Sequence, residues 1–479
     1  MHKLSQRTIV KRIPNFIIAF ISFAISIYVL NNSEFFPGYS VYFIVPFGFS
    51  ILMILCTNID FTNFKMIGPF IFNMSMVIKY SLLPLIACIS QYYSRFGVTP
   101  SADNIRSAIF LTFYEMIVLC IFGNYLSKTY KRKSNKVDQN NKPLRSYFIF
   151  NIVILLGILV AVFIPEAIAD YRFLFNQDDL ATNIKVNFPL SGLFSTVVIF
   201  ARYCLVLIVI NSCFKRNRKQ FSYMNIVISI IAVSVNALIV SNLSRVGLIC
   251  PFITFMVLLL FLYPGKRERK AILFVMSGII TIGLIYLTGV KFFGEGRGEV
   301  SDSTNILFWG DTINMYFMGV KETAIGIMAV DTIDVTYGFF RIFLLLNDVF
   351  SNVGGISNFT VSSINSTTLY NLVYFGSNIS VSQIVPNICE GTYYFGGLFA
   401  PIWPCIFLYL AYKFSYKIYE QIYIDKRFVY IFASVYCGML LMLNTSMIIY
   451  AIVNVSFLFA VVSKINRIIL FKKHKSSII

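Results

Sequence analysis

The chain has 479 residues, 57% hydrophobic and only 13% charged, yet Lys and Arg outnumber Asp and Glu by 40 to 21, a formal charge of +19. A nucleic-acid binder would carry such an excess on a solvated surface. Apolar runs long enough to cross a hydrocarbon core of about 30 Å leave no room for that surface, so a soluble domain is excluded and a polytopic membrane protein is indicated.

The first apolar run, about 14–31, follows Lys11-Arg12 and has no small-residue cleavage site after it, which reads as a retained helix rather than a cleaved leader. Further spans are expected at about 39–57, 66–90, 105–127, 146–164, 190–213, 223–241, 246–263, 271–290, 395–413, 428–446 and 447–463, about twelve in all. Every second connection is basic: the N-terminal Lys3/Arg7/Lys11/Arg12, Lys65, the 128–145 linker, Lys215/Arg216/Arg218/Lys219, Lys266/Arg267/Arg269/Lys270, Lys413/Lys417/Lys426/Arg427 and the tail. The positive-inside rule puts these segments and both termini in the cytoplasm. The fold class is therefore an all-α polytopic membrane protein, in three parts: spans over 1–290, a large external loop over 291–394, and spans plus a basic tail over 395–479.

The large loop starts with Gly294-Glu295-Gly296-Arg297-Gly298-Glu299, too flexible for a helix. Apolar patches near 305–320, 336–350 and 367–376 are too short and too interrupted to span. They are expected to form amphipathic helices at the outer interface, or partly re-entrant ones shielded by protein. A loop this long is usually functional. No internal repeat supports an inverted-repeat transporter, and the sequons at Asn358, Asn365 and Asn378 read as chance matches in a Ser- and Asn-rich stretch. Of nine cysteines, only Cys389 falls clearly in that loop; the rest read as small buried hydrophobes. Both histidines, His2 and His474, lie at the extreme ends, so a histidine metal site or histidine base inside the membrane is ruled out. No metal is expected. The abundance of Phe, Tyr, Ile, Asn and Lys beside two Trp points to an AT-rich, bacterial source.

Three groups of residues could carry chemistry. Lys79, Glu115 and Arg202 fall deep inside spans, where an ionisable side chain is costly and a functional candidate by default. Lys79 and Glu115 sit at matching depth in consecutive spans, so an ion pair is the plain reading. Arg202 has no obvious mate; backbone carbonyls, Glu115, or a headgroup or phosphate are its candidates. Arg245, in Asn242-Leu243-Ser244-Arg245-Val246-Gly247, opens a helix on the outer side, where amides and dipole favour anions and a guanidinium suits phosphate oxygens. A lipid headgroup anchor is the alternative. Glu390, in Pro386 to Gly397 ahead of a late span, is placed for a desolvated general base. Tyr393 and Tyr394 could face sugars or form an aromatic belt. Arg297 and Arg341 stand near acids such as Asp302, Asp311 and Asp348, where surface ion pairing is the plain reading.

These features together resemble the Wzy-type polymerases of bacterial O-antigen and capsular repeat units. The resemblance rests on many spans, a large late external loop, the Ser244-Arg245-Val246-Gly247 stretch and the Pro386…Glu390…Tyr393-Tyr394-Phe395-Gly396-Gly397 stretch. It implies a GT-C-like glycosyltransferase in the bacterial inner membrane with its active site facing the periplasm. The activity implied is transfer of a glycan from undecaprenyl diphosphate to the terminal sugar of another lipid-linked repeat unit, with no cofactor. Implied partners are the undecaprenyl-diphosphate-linked donor and acceptor, membrane lipids and a chain-length regulator, and no nucleic acid. In that reading Arg245, Arg341, Arg202 and Arg297 are the diphosphate ligands, and Glu390, with Asp311 and Asp348 behind it, is the base. A lipid-linked oligosaccharide flippase and an O-antigen ligase are the alternatives; the ligase is associated with an external histidine that this chain lacks.

Overall fold

The computed structural model describes residues 2–64, 66–94, 97–134, 141–144, 146–168, 171–173, 191–241, 245–293, 306–334, 340–350, 365–376 and 383–476. Among them, seven helices are long and apolar enough to cross a membrane: Arg12–Asn32, Ile67–Ile89, Ala102–Tyr130, Gly192–Lys219, Arg245–Leu262, Lys266–Leu287 and Thr445–Ile468. Ile44–Leu55, Phe148–Phe163 and Tyr223–Leu238 are shorter apolar helices. The chain is a multi-pass helical membrane protein.

In chain order the helices are α1 (His2–Asn32), α2 (Ile44–Leu55), α3 (Ile67–Val77), α4 (Leu83–Ile89), α5 (Ala102–Ser134), α6 (Phe148–Phe163), α7 (Ser191–Lys219), α8 (Tyr223–Leu238), α9 (Arg245–Leu262) and α10 (Lys266–Phe293). A π-helical turn, Ile78–Leu82, joins α3 to α4 in one span. Two three-residue strands, β1 (Tyr171–Phe173) and β2 (Ile239–Ser241), pair antiparallel. The second half contains α11 (Ile306–Tyr316), α12 (Val320–Asp334), α13 (Phe340–Phe350), α14 (Ser366–Phe375), α15 (Asn387–Phe395), α16 (Ile402–Glu420) and α17 (Ile424–Gly438). Then α18 (Thr445–Tyr450), a π-helical segment Ala451–Phe457 and α19 (Leu458–Ser476) run on as one rod.

Helix α17 sits at the centre, packed on α3, α9, α16 and the π-helical segment, and Phe428, Ile431, Phe432 and Val435 on it are buried. Lipid tails are as apolar as leucine, so close approach and polar ties must order helices inside a bilayer. The α3, α16 and α17 junction shows both. A Cβ on Gly68 would stand 2.5 Å from Ser434 Oγ. In its absence the Gly68 amide donates to Ser415 Oγ at 3.1 Å, and Ser434 Oγ donates to the Ala411 carbonyl at 3.1 Å.

Two boundaries differ from expectation. The span expected from 395 begins at Ile402, because Gly396 ends α15 with φ +78°, a left-handed value that favours glycine, and Pro401 precedes the new helix. The last two expected spans are separated by residues 439–444, since Asn444 caps α18 by accepting from the Met447 amide. The loop patches form α11, α13 and α14, but the loop holds two further helices, α12 and α15, and Cys389 lies buried in α15 rather than in a loop. Helix α12 packs along α5. Its Val320, Ala324, Ile325 and Ala329 are buried, so it is protein-shielded rather than floating at an interface.

Candidate functional site

Lys79 lies in the π-helical turn 78–82, where the widened coil turns its side chain toward α5. Its Nζ donates to Glu115 Oε2 at 2.8 Å, and the Tyr80 hydroxyl donates to the same oxygen at 3.0 Å. Both charged residues are buried, 2% and 0% exposed. The two form a buried ion pair.

The second constellation gathers around α15. Glu390 is 1% exposed and Asp348, on α13, is 2% exposed. Each carboxylate takes the first amide of a helix. The Thr445 amide, opening α18, donates to Glu390 Oε1 and Oε2 at 3.2 and 3.0 Å. The Ser366 amide, opening α14, donates to Asp348 Oδ1 and Oδ2 at 3.1 and 3.3 Å. The positive ends of two helix dipoles thus meet the two acids. Ser366 also bridges them, its Oγ donating to Glu390 Oε1 at 3.3 Å. The Tyr394 hydroxyl donates to Asp348 Oδ2 at 2.6 Å, and the Thr445 hydroxyl donates to Glu390 Oε2. Asn387 anchors the floor: its Nδ2 donates to the Leu440 and Leu443 carbonyls, locking α15 onto the 439–444 turn.

Burial pushes both acids up. Asp348 rises to about 6, with the Tyr394 and Ser366 hydrogen bonds pulling back against desolvation. Glu390 is pushed well above the usual carboxylate range by burial first and by the neighbouring Asp348 charge second, while the Thr445 and Ser366 donors oppose the rise. The rise is the stronger at Glu390, so of the two acids Glu390 holds its proton the more readily and Asp348 gives its proton up first. Two acids whose surroundings separate their protonation states are suited to acid–base work. Arg341, also on α13, joins this group, with its NH1 donating to the Thr392 carbonyl of α15 at 3.2 Å.

The other expected site residues have different neighbours. The Arg202 guanidinium donates to the Asn236 and Ile239 carbonyls at 2.5 and 2.8 Å and lies over the Tyr171 ring. It caps the end of α8, the backbone-carbonyl alternative expected for it. Arg245 opens α9 and stands over the Tyr316 ring of α11 at 4.6 Å. Asp311 Oδ1 is 4.0 Å from Lys321 Nζ. Tyr393 is 0% exposed, and its hydroxyl donates to the Gly326 carbonyl at 3.1 Å. That ring packs α15 against α12 and offers no face to a sugar, and Tyr394 is buried likewise. Arg297, with residues 242–244 of the Arg245 stretch, lies outside the described residues.

Ser366, Thr445 and Asn387 went unrecognised in the sequence, as did the pair Lys321 and Glu322. Glu322 is 3% exposed and accepts from the Tyr370 hydroxyl; burial raises its pKa against the pull of Lys321. Tyr370 and Ser366 are four residues apart on α14, about 6 Å of helix rise, so one helix contacts both Glu322 and the Glu390 and Asp348 pair. A signal did exist: Asn365-Ser366 and Asn444-Thr445 are the same capping dipeptide, Asn ahead of a hydroxyl residue. Among the described residues, no group of three or more His, Cys, Asp or Glu could hold a metal ion.

No protein-family model, curated protein or solved structure matches the chain.

Proposed function

We propose that the protein is a bacterial surface-polysaccharide polymerase of the Wzy type, acting on O-antigen or capsular repeat units. In this reading about twelve helices cross the inner membrane, the basic loops and both termini are cytoplasmic, and α11 to α15 face the periplasm. The observation that carries the reading is the buried pair Asp348 and Glu390, held by the first amides of α14 and α18 beside Arg341.

Glycosyl transfer requires three things of a protein. The acceptor hydroxyl must lose its proton as it attacks the anomeric carbon, the bond from that carbon to the diphosphate oxygen must break, and the departing diphosphate must be stabilised. Asp348, the more readily ionised of the two raised acids, supplies a proton acceptor beside Glu390, and the pair together can take and return the proton. Arg341 and Arg245 are the cations for the diphosphate, whose growing charge a fixed guanidinium stabilises more in the transition state than before it. The substrates are an undecaprenyl-diphosphate-linked donor and acceptor, and the head groups react at the membrane surface while the chains stay in lipid.

The test is reconstitution: purified protein incubated with a lipid-diphosphate repeat unit, and products resolved on a gel. Glycans longer than one repeat support the reading. Transbilayer movement of the lipid without elongation would establish a flippase instead. In cells, deletion that leaves lipopolysaccharide capped with a single repeat supports polymerisation, and loss of all O-antigen refutes it.

A further inference from the structure

Past the Gly396 break the chain runs over 396–401 into α16, and this turn is tied to α5: the Tyr114 hydroxyl donates to the Leu398 carbonyl at 3.0 Å. Farther along the same two helices, the Tyr412 hydroxyl donates to the Gly123 carbonyl at 3.3 Å, and Leu408 lies 3.7 Å from where a Cβ on Gly123 would stand. Between these two ties an open groove runs along the surface of the helix pair. Tyr114, Val118 and Phe122 recur at four-residue intervals on one face of α5, and Ile402, Ile406 and Tyr409 line the facing side of α16. Together they enclose an open apolar groove of about 650 Å³, within the size range that holds a ligand. Seven residue steps from Ile402 to Tyr409 make it about 10 Å long at helical rise.

Its two ends differ in chemistry. At the Leu398 end, two residues before the tie, Gly396 stands close to Arg341: a Cβ there would be 3.4 Å from the guanidinium NH1. Helix α15, with Glu390, ends one residue earlier. From Leu398 to Tyr409 the groove is apolar apart from the two phenols at its ends. A guanidinium beyond one end, followed by a braced apolar groove, fits an amphiphile with an anionic head and a single long chain.

We propose that this groove seats the first isoprenoid units of the substrate's polyprenyl chain, with the diphosphate at the Arg341 end. The proposal rests on the polymerase reading above, and it fixes where the lipid enters: laterally, between α5 and α16. Val118 and Ile406 face the groove, whereas Ile121 lies on the lipid-exposed flank of α5 at 56% exposure and serves as the control.

The experiment uses the full chain in nanodiscs of phosphatidylcholine, with undecaprenyl diphosphate as the probe and retention read by native mass spectrometry. Val118→Trp and Ile406→Trp, each checked by gel filtration and thermal unfolding, are expected to weaken retention at least tenfold, and Ile121→Trp to leave it unchanged. Retention at the wild-type level in either folded groove variant overturns the proposal. So does displacement of the probe by an equal concentration of phosphatidylglycerol, which would make the groove an ordinary acyl-chain site. Groove-dependent retention by a protein that never elongates glycans would keep the lipid site and remove the polymerase reading, so the two fail separately.

Discussion

Two buried acid sites in this protein solve the same problem in opposite ways. Glu115 is neutralised by a cation, Lys79, at 2.8 Å with Tyr80 as a second donor. Asp348 and Glu390 are instead held by neutral donors, the amides of Ser366 and Thr445 and the hydroxyls of Tyr394, Ser366 and Thr445. An ion pair sets one buried charge against the other, and removing either partner leaves a buried charge uncompensated. Neutral donors satisfy the oxygens and leave the protonation state free to change. The first arrangement therefore suits a brace between helices, and the second suits proton transfer.

The sharpest break of that contrast is to remove each acid while keeping its shape. Asp348→Asn and Glu390→Gln should lower polymer formation by about 10²–10⁴-fold with normal membrane levels, measured by gel analysis of reconstituted elongation. Full-length polymer from either variant would remove the pair from the chemistry. At the other site the effect should be on stability. Lys79→Met strands a buried carboxylate and should cost about 3–5 kcal/mol, whereas the double variant Lys79→Met with Glu115→Leu should recover most of it. Unfolding in detergent reads both, and a single variant as stable as wild type would mean the pair braces nothing.

How much of this was legible in the sequence follows from the same contrast. Lys79 and Glu115 could be matched because both interrupt apolar runs at equal depth, and a charge in hydrocarbon demands a partner. Glu390 stood out through its place before a late span. Its partners could not be read, because Asp348 and Ser366 arrive from segments 42 and 24 residues away along a loop whose apolar patches carry no pairing code. The helix Val320–Asp334 was missed for a related reason: Lys321 and Glu322 look like solvated charges until α14 supplies Tyr370 and residue 94 supplies a hydroxyl. The long apolar spans were legible from length alone. The boundary at Ile402 was not, since Phe395 to Phe399 is as apolar as a helix and the left-handed Gly396, with Pro401 after it, breaks it.

Titration should separate stability from activity. Asp348 titrates near 6 in the folded protein, against about 3.9 unfolded. Between those values the folded state holds more protons, so stability falls as pH rises from about 4 to about 6, by up to about 3 kcal/mol. Elongation should run the other way, rising with pH through about 6 as Asp348 ionises. Asp348→Asn removes its share of the stability slope. A wild-type protein that gains stability over this window would show that the acid is not buried as described.

The smallest expected effects probe Ser366, which serves both acids with different atoms. Proline is tolerated at the first position of a helix because that N–H has no helical partner, and Asn365 before it, at φ −125° and ψ 172°, already has the extended backbone a proline demands. Ser366→Pro should thus keep α14 while deleting the amide that Asp348 accepts and the hydroxyl that Glu390 accepts. A bond to an ionised group contributes about 1.5–3 kcal/mol, so the midpoint of the pH–rate profile should move up by about one to two units. Ser366→Ala keeps the amide and loses only the hydroxyl at 3.3 Å from Glu390. It should cost about 0.5–1.5 kcal/mol, a rate loss near tenfold at most, with the Asp348 midpoint in place. If alanine shifted that midpoint as far as proline, the amide would not be what holds Asp348, and the division between the two helix N-termini would fail.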